Sequence, residues 1–290
     1  MAVARSCGLT TAPAPLAAIL GVRESAIRER LRDEDREAAA KKGANGAALP
    51  VETRFAPLLR WALSWWNGER RLALALDATS LSDRFVALVV NVLYWGCAVP
   101  SAWNVLPANQ KGPWEPHWKR LLGLAAEAIP SDWFVLVLAD RGLSARWRYQ
   151  EIQRRGWHPF LRIHCQGCFR FPNGRYQPLG SLLTGPGVLW SDRVIRFRGA
   201  PLACTLLVAW TEGKAPWLIV TDLPPDCADA AWDSLRAWIE GGFKDVKRGG
   251  RQWQQTRISD PERVERFWLA AAIAAVWVVS VGGERKRPNR

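Results

Sequence analysis

The sequence lacks a second half to its one candidate metal motif. "HCQGC", His164 to Cys168, contains a CxxC, but no further CxxC or CxxH pair follows it. A structural zinc site closes four ligands, so the motif is read as two ordinary cysteines. The six cysteines, Cys7, Cys97, Cys165, Cys168, Cys204 and Cys227, are scattered, and several fall in apolar runs where Cys behaves as a small hydrophobe. That excludes a disulfide framework and points to a reducing compartment. No secretory leader is expected from "MAVARSCGLTTAPAPLAAILGV", which is broken by Pro13 and Pro15 before any uninterrupted apolar core forms. No internal repeat is present.

Acidic residues are scarce relative to basic ones, 27 against 40, for a net charge of +13. Most of the cations are Arg, whose planar fork suits phosphate better than a Lys point charge. A surface of this sign favours polyanions, and of nucleic acid and anionic membrane the first is the preferred partner. With 49% hydrophobic residues the chain buries a core and is not a disordered tail. The uncharged run "FWLAAAIAAVWVVSVGG", Phe267 to Gly283, is at the short edge of what spans a bilayer, where about 20 residues is the norm. Its Ala-rich, Trp-studded character is expected of a core helix; a membrane anchor is the alternative.

Residues from about 10 to 66 are expected to be helical, with charged i,i+4 pairs and a loop at "KKGANGAALP". This region is either a small DNA-binding subdomain or a solvated helical pair. From Arg71 the texture changes. "RLALALDATSL" is expected as a strand ending in Asp77, followed by strands in "RFVALVVNVLYWGCAVP" and "SAWNVLPA". A helix follows in "PWEPHWKRLLGLAAEAI", then a strand in "SDWFVLVLADRGL" that ends in Asp140. A helix closed by Gly156 and a strand in "HPFLRIHC" complete the series. Residues from about 166 to 222 form a β-rich insertion. A long helix is expected from about Ala230 to Lys247, and a last one from about Pro261.

Asp77 and Asp140 meet if their strands are sheet neighbours, as a crossover helix would make them. Ligands gather at the carboxyl ends of such strands. Paired carboxylates in a basic protein suit hard divalent ions, Mg²⁺ or Mn²⁺. The plain alternative for each is a turn or helix cap. On the long helix, Asp233, Arg236, Glu240, Phe243, Lys244 and Lys247 share one stripe. Glu240 can face the metals while Arg236 and Lys247 hold phosphates; a salt-bridged surface stripe is the other reading. "WIEGGF" puts two glycines beside Glu240, at about 1 kcal/mol of helix propensity each, which close approach of a backbone would require.

These segments together resemble the DDE transposases of bacterial insertion sequences, in particular insertion-sequence family four with its Y-x2-R-x3-E-x6-K signature. "LRAWIEGGFKDVK" supplies Arg236, Glu240 and Lys247 at that spacing, while "LALDATSL" and "LADRGL" resemble the segments of the first two acids. "PWLIVTDLPP" also matches, and the likeness covers about residues 55 to 282. It implies an α/β fold: an RNase H-like mixed sheet flanked by helices, with a β insertion before the last catalytic helix. Domains follow as 1–66, helical, and 67–290, catalytic.

The resemblance further implies Asp77, Asp140 and Glu240 as catalytic acids on two Mg²⁺ or Mn²⁺ ions, with Arg236, Lys244 and Lys247 on DNA. The partner is double-stranded DNA, cut at element ends and joined to a target by a homodimer assembled on it. Some such enzymes use a hairpin intermediate with a flipped base, for which the many Trp offer platforms. No membrane partner and a cytoplasmic, nucleoid-associated location are expected. The signature's Tyr position holds Asp233, which removes a phenol and adds repulsion toward phosphate. With the short termini, this carries the alternative, a catalytically inactive truncated or domesticated DNA-binding derivative.

Overall fold

The computed structural model describes residues 14, 17, 22–35, 49–66, 68–81, 83–94, 96–110, 112–239, 258 and 260–284. Its helices are α1 (Glu24–Asp35), α2 (Phe55–Ser64), α3 (Glu115–Ala126), α4 (Arg146–Arg154) and α5 (Pro261–Glu284). The first strands are β1 (Arg71–Leu81), β2 (Phe85–Tyr94) and β3 (Cys97–Pro107). Strands β4 (Phe134–Ala139) and β5 (His158–Arg162) follow α3 and α4. The remainder are β6 (Cys168–Arg170), β7 (Gln177–Pro178), β8 (Leu189–Arg196), β9 (Leu202–Ala209) and β10 (Trp217–Thr221).

The strands hydrogen-bond in the order β3-β2-β1-β4-β5-β10-β9-β8-β6-β7. β4 is parallel to both β1 and β5, and every other registered pair is antiparallel. Three leading strands, then helix, strand, helix and strand, in the spatial order 3-2-1-4-5, make an RNase H-like mixed sheet flanked by helices. Contacts divide the chain into two compact units. One comprises Met1–Gly68, Ala78–Ile129 and Glu240–Arg290, the other Glu69–Asp77 and Pro130–Ile239.

In the first unit β2 and β3 form a hairpin that breaks at Gly96, where φ is +81°, and not at Pro100 as the sequence suggests. "CAVP" therefore belongs to β3. Pro100 is tolerated because the register shifts beside it: Asn91 faces Pro100 but Val90 faces Ala102, leaving Ser101 as the extra residue of a bulge. The Ser101 hydroxyl donates to the Val99 carbonyl at 3.1 Å. Trp103 is fully buried on β3, edge-on to Phe55 of α2 at 4.5 Å and 6.3 Å from Trp268 of α5.

The apolar run of α5 is a core helix in part. Val264, Trp268, Leu269, Ala271, Ala272 and Val276 are buried, whereas Ile273 and Trp277 face out. No described helix is long and apolar enough to cross a membrane. Glu265 fastens α5 to β3, accepting from the Val105 N–H at 2.9 Å and the Asn104 amide at 3.1 Å.

In the second unit the strands of the expected β-rich insertion join the sheet that holds β4 and β5. β10 pairs with β5 on one side and β9 on the other, so β6 to β9 extend the same sheet. Helix α4 buries Tyr149 and Ile152, and Gly156, at φ +73°, turns the chain into β5. Among the described cysteines only Cys204 is buried; Cys97, Cys165 and Cys227 are exposed, so the small-hydrophobe reading holds for one of them.

Burial pushes the Glu265 carboxyl above the usual range, against the pull of its two hydrogen bonds. A raised native carboxylate favours the protonated state, so this group's contribution to stability is full below its unfolded pKa and declines as pH rises through the raised value. Glu265→Gln should flatten that part of the pH profile of urea midpoints. Glu265→Ala, which strips two donors, should cost about 2 kcal/mol.

Candidate functional site

The second unit assembles a row of charged residues from strand register alone. In the parallel pair β1–β4 the last matched residues are Leu76 and Ala139, so the next step brings Asp77 beside Asp140. The chain remains extended at Asp140, with φ −76° and ψ 169°, which carries the register one residue past the end of β4. In β4–β5 Ala139 matches Leu161, so Arg162 is next in the same row. Register partners in parallel strands share a face, with strands about 4.8 Å apart. Asp77, Asp140 and Arg162 therefore line one face where the parallel strands meet their carboxyl ends.

Asp77 does not end its strand. β1 runs on to Leu81, past Leu76, the last residue that β4 matches. This removes the turn or cap alternative for Asp77. Asp140 does precede a 3₁₀ turn, Arg141–Leu143, but its side chain makes no capping hydrogen bond. Its Oδ1 instead lies 3.3 Å from Nη1 of Arg236 and, although inaccessible, accepts no hydrogen bond.

Arg236 comes from a 3₁₀ helix, Ala230–Arg236, capped by Asp229, whose carboxylate accepts from the Ala231 N–H at 2.8 Å. The sequence periodicity suggests an α-helix from Ala230. A 3₁₀ helix instead has three residues per turn, so Asp233 and Arg236 eclipse each other on one face. Of the stripe, only Asp233 and Arg236 are among the described residues, and neither is exposed. The Asp233 side chain is 2% exposed and pairs with Nη1 of Arg162 at 3.6 Å, while Arg236 and Arg162 are each 15% exposed. Burial pushes the Asp233 carboxyl up, and the Arg236 and Arg162 charges pull against it. Burial likewise lowers Arg162, with Asp233 the main opposing charge. The Asp233 carboxylate is thus paired with Arg162 and lies within the influence of Arg236, which offsets the repulsion toward phosphate expected of an acid at this position.

Of the expected site residues, Asp77, Asp140 and Arg236 belong to this constellation. Glu240, Lys244 and Lys247 lie outside the described residues, as does "GG" after Glu240. Sequence reasoning missed Arg162 and the inward orientation of Asp233. The available signal was that "FLR" in β5 ends its apolar run as "VLAD" does in β4, which becomes meaningful only once the register is known.

Asp77 and Asp140 offer hard oxygen donors, and Asp140 Oδ1 is a buried acceptor without a donor, which fits a divalent cation. Among the described residues no group of three or more His, Cys, Asp or Glu side chains is placed to hold a metal. The same holds at Cys165 and Cys168.

Neither a family model nor a curated protein matches the chain. Among solved structures it is similar to piggyBac transposase in a synaptic complex with hairpin DNA, at 11% identity and a TM-score of 0.45. That alignment covers 93% of this chain and 57% of that one, so the chain spans less than two thirds of the other's length.

Because Asp233 is the buried partner of the poorly exposed Arg162, Asp233→Ala should destabilise the protein by about 3 kcal/mol in urea unfolding. Asp229→Ala, which removes only a cap, should cost about 1 kcal/mol.

Proposed function

We propose that this chain is a DNA transposase, an enzyme that hydrolyses phosphodiester bonds at element ends and then joins the freed 3′-hydroxyl to target DNA. The observation that supports the reading is the β1–β4 register that sets Asp77 and Asp140 side by side, with Arg236 against Asp140. The net charge of +13 supports a polyanionic substrate.

In this reading Asp77, Asp140 and Glu240 hold two Mg²⁺ or Mn²⁺ ions. Two such ions, when bound, supply activation of the attacking oxygen and stabilisation of the leaving one. The chain's own residues orient and neutralise. Arg236 presents a fork that suits one phosphate oxygen pair. Lys244 and Lys247 add point charges along the backbone. Residues 1–66 form the N-terminal region and 67–290 the catalytic region. The protein works on double-stranded DNA as a homodimer assembled on it, in the cytoplasm at the nucleoid.

A second reading, a DNA-binding derivative without catalysis, is favoured by two observations: Arg236 already pairs with Asp140, and Asp233 stands where the signature has Tyr. The two readings part on metal. With Mn²⁺ or Mg²⁺ the native protein should nick plasmid DNA, while Asp77→Ala, Asp140→Ala and Glu240→Ala should each be silent. Binding without nicking at any metal concentration, on DNA carrying the element ends, would favour the second reading. Nicking that survives the substitutions would mean that other residues do the chemistry.

DNA binding itself should weaken with salt. Lys244→Ala and Lys247→Ala should each flatten the plot of log affinity against log salt by about 0.9, the effect of one phosphate contact. An unchanged slope would take that residue off the DNA.

A further inference from the structure

Asp140 differs from an ordinary metal-binding acid in already having a cation beside it. Arg236 Nη1 is 3.3 Å from Asp140 Oδ1 without making a hydrogen bond there. The same guanidinium shares a 3₁₀ face with Asp233 and is the strongest neighbouring charge acting on it. Asp233 in turn pairs with Arg162 at 3.6 Å. Two carboxylates and two guanidiniums thus close a neutral, largely buried set, in which Arg236 lies between a half-exposed acid and a buried one.

We propose that Arg236 is the internal counter-cation of Asp140, and that Asp233 is the positioning residue that receives Arg236 when a divalent cation takes its place. The proposal rests on the metal-binding reading of Asp77 and Asp140 given above. The Asp140 pair is the weaker anchor: its side chain is 46% exposed, so water screens it, and its geometry is that of an ion pair without a hydrogen bond. Asp233 is the stronger anchor, because a carboxylate 2% exposed costs far more to leave unmatched. A cation entering at Asp140 therefore exchanges a screened pair for direct coordination, and Arg236 keeps a partner.

Titration calorimetry of the full chain with Mn²⁺ alone tests this, with Asp140→Asn marking which heat belongs to the site. Arg236→Gln should bind Mn²⁺ at least about fivefold more tightly than the native chain, because a unit charge in contact with the donor oxygen is gone. Arg141→Gln removes a neighbouring cation that also acts on Asp233 but makes no ion pair with Asp140, and should tighten binding clearly less than Arg236→Gln does. Asp233→Asn should weaken Mn²⁺ binding about threefold or more in the native background and leave it unchanged in Arg236→Gln, since Asp233 acts through Arg236. Arg236→Met, equally uncharged, replaces Arg236→Gln if the latter does not fold. Equal tightening by Arg236→Gln and Arg141→Gln would overturn the proposal, as would equal weakening by Asp233→Asn in both backgrounds. Absence of any Asp140-dependent Mn²⁺ heat would overturn both this and the metal-binding reading, whereas binding indifferent to Arg236 would overturn this one alone.

Discussion

The parallel register of β1, β4 and β5 is the constraint from which the rest of the site follows. Leu76, Ala139 and Leu161 form the last apolar row, and the next residue on each strand is charged: Asp77, Asp140 and Arg162. A slip of one residue would turn each of these to the opposite face and an apolar neighbour toward the site. The buried Leu72, Leu74 and Leu76 of β1 and Val135, Val137 and Leu138 of β4 make such a slip costly. The core thus specifies the position of two carboxylates that have little stabilising value of their own.

Like charges side by side need compensation, and the fold supplies it from a distant part of the chain. The 3₁₀ helix at Ala230–Arg236 brings Asp233 toward Arg162 and Arg236 toward Asp140. Buried ion pairs of this kind are seldom the cheapest way to fill space, because desolvation offsets much of the attraction. Their presence at the carboxyl ends of parallel strands, where ligands gather, fits a site kept for function at some cost in stability.

Much of the architecture was legible in the sequence. Apolar runs bounded by turn residues revealed the succession of three strands, helix, strand, helix and strand, and the last helix began at Pro261 as its pattern suggests. What periodicity could not reveal was anything set by a distant partner. The hairpin turn falls at Gly96 because a bulge opposite Asn91 absorbs Pro100, and β1 continues past Asp77 to Leu81, beyond the last residue that β4 matches. Asp77 and Asp140 were visible as acids closing apolar runs. Arg162 was not, since an arginine at a strand end is unremarkable until Asp233, 71 residues later, is found beside it. Periodicity also did not separate the 3₁₀ turns at Ala230–Arg236 from the α-helical residues 237–239 that follow, as both keep residues i and i+3 on one face, and the rest of the helix expected to Lys247 lies outside the described residues.

The account stands on Asp77 and Asp140 together holding a divalent cation, and the most direct test is to let the cation report its own position. Fe²⁺ substituted for Mg²⁺, with ascorbate and peroxide, generates hydroxyl radicals that cut the backbone within a few ångströms of the bound ion. Fragment masses should place cuts near Asp77 and near Asp140, both suppressed by excess Mg²⁺ and absent in Asp140→Asn. Cuts confined to the Cys165–Cys168 loop, or a pattern indifferent to Mg²⁺ and to that substitution, would contradict the account.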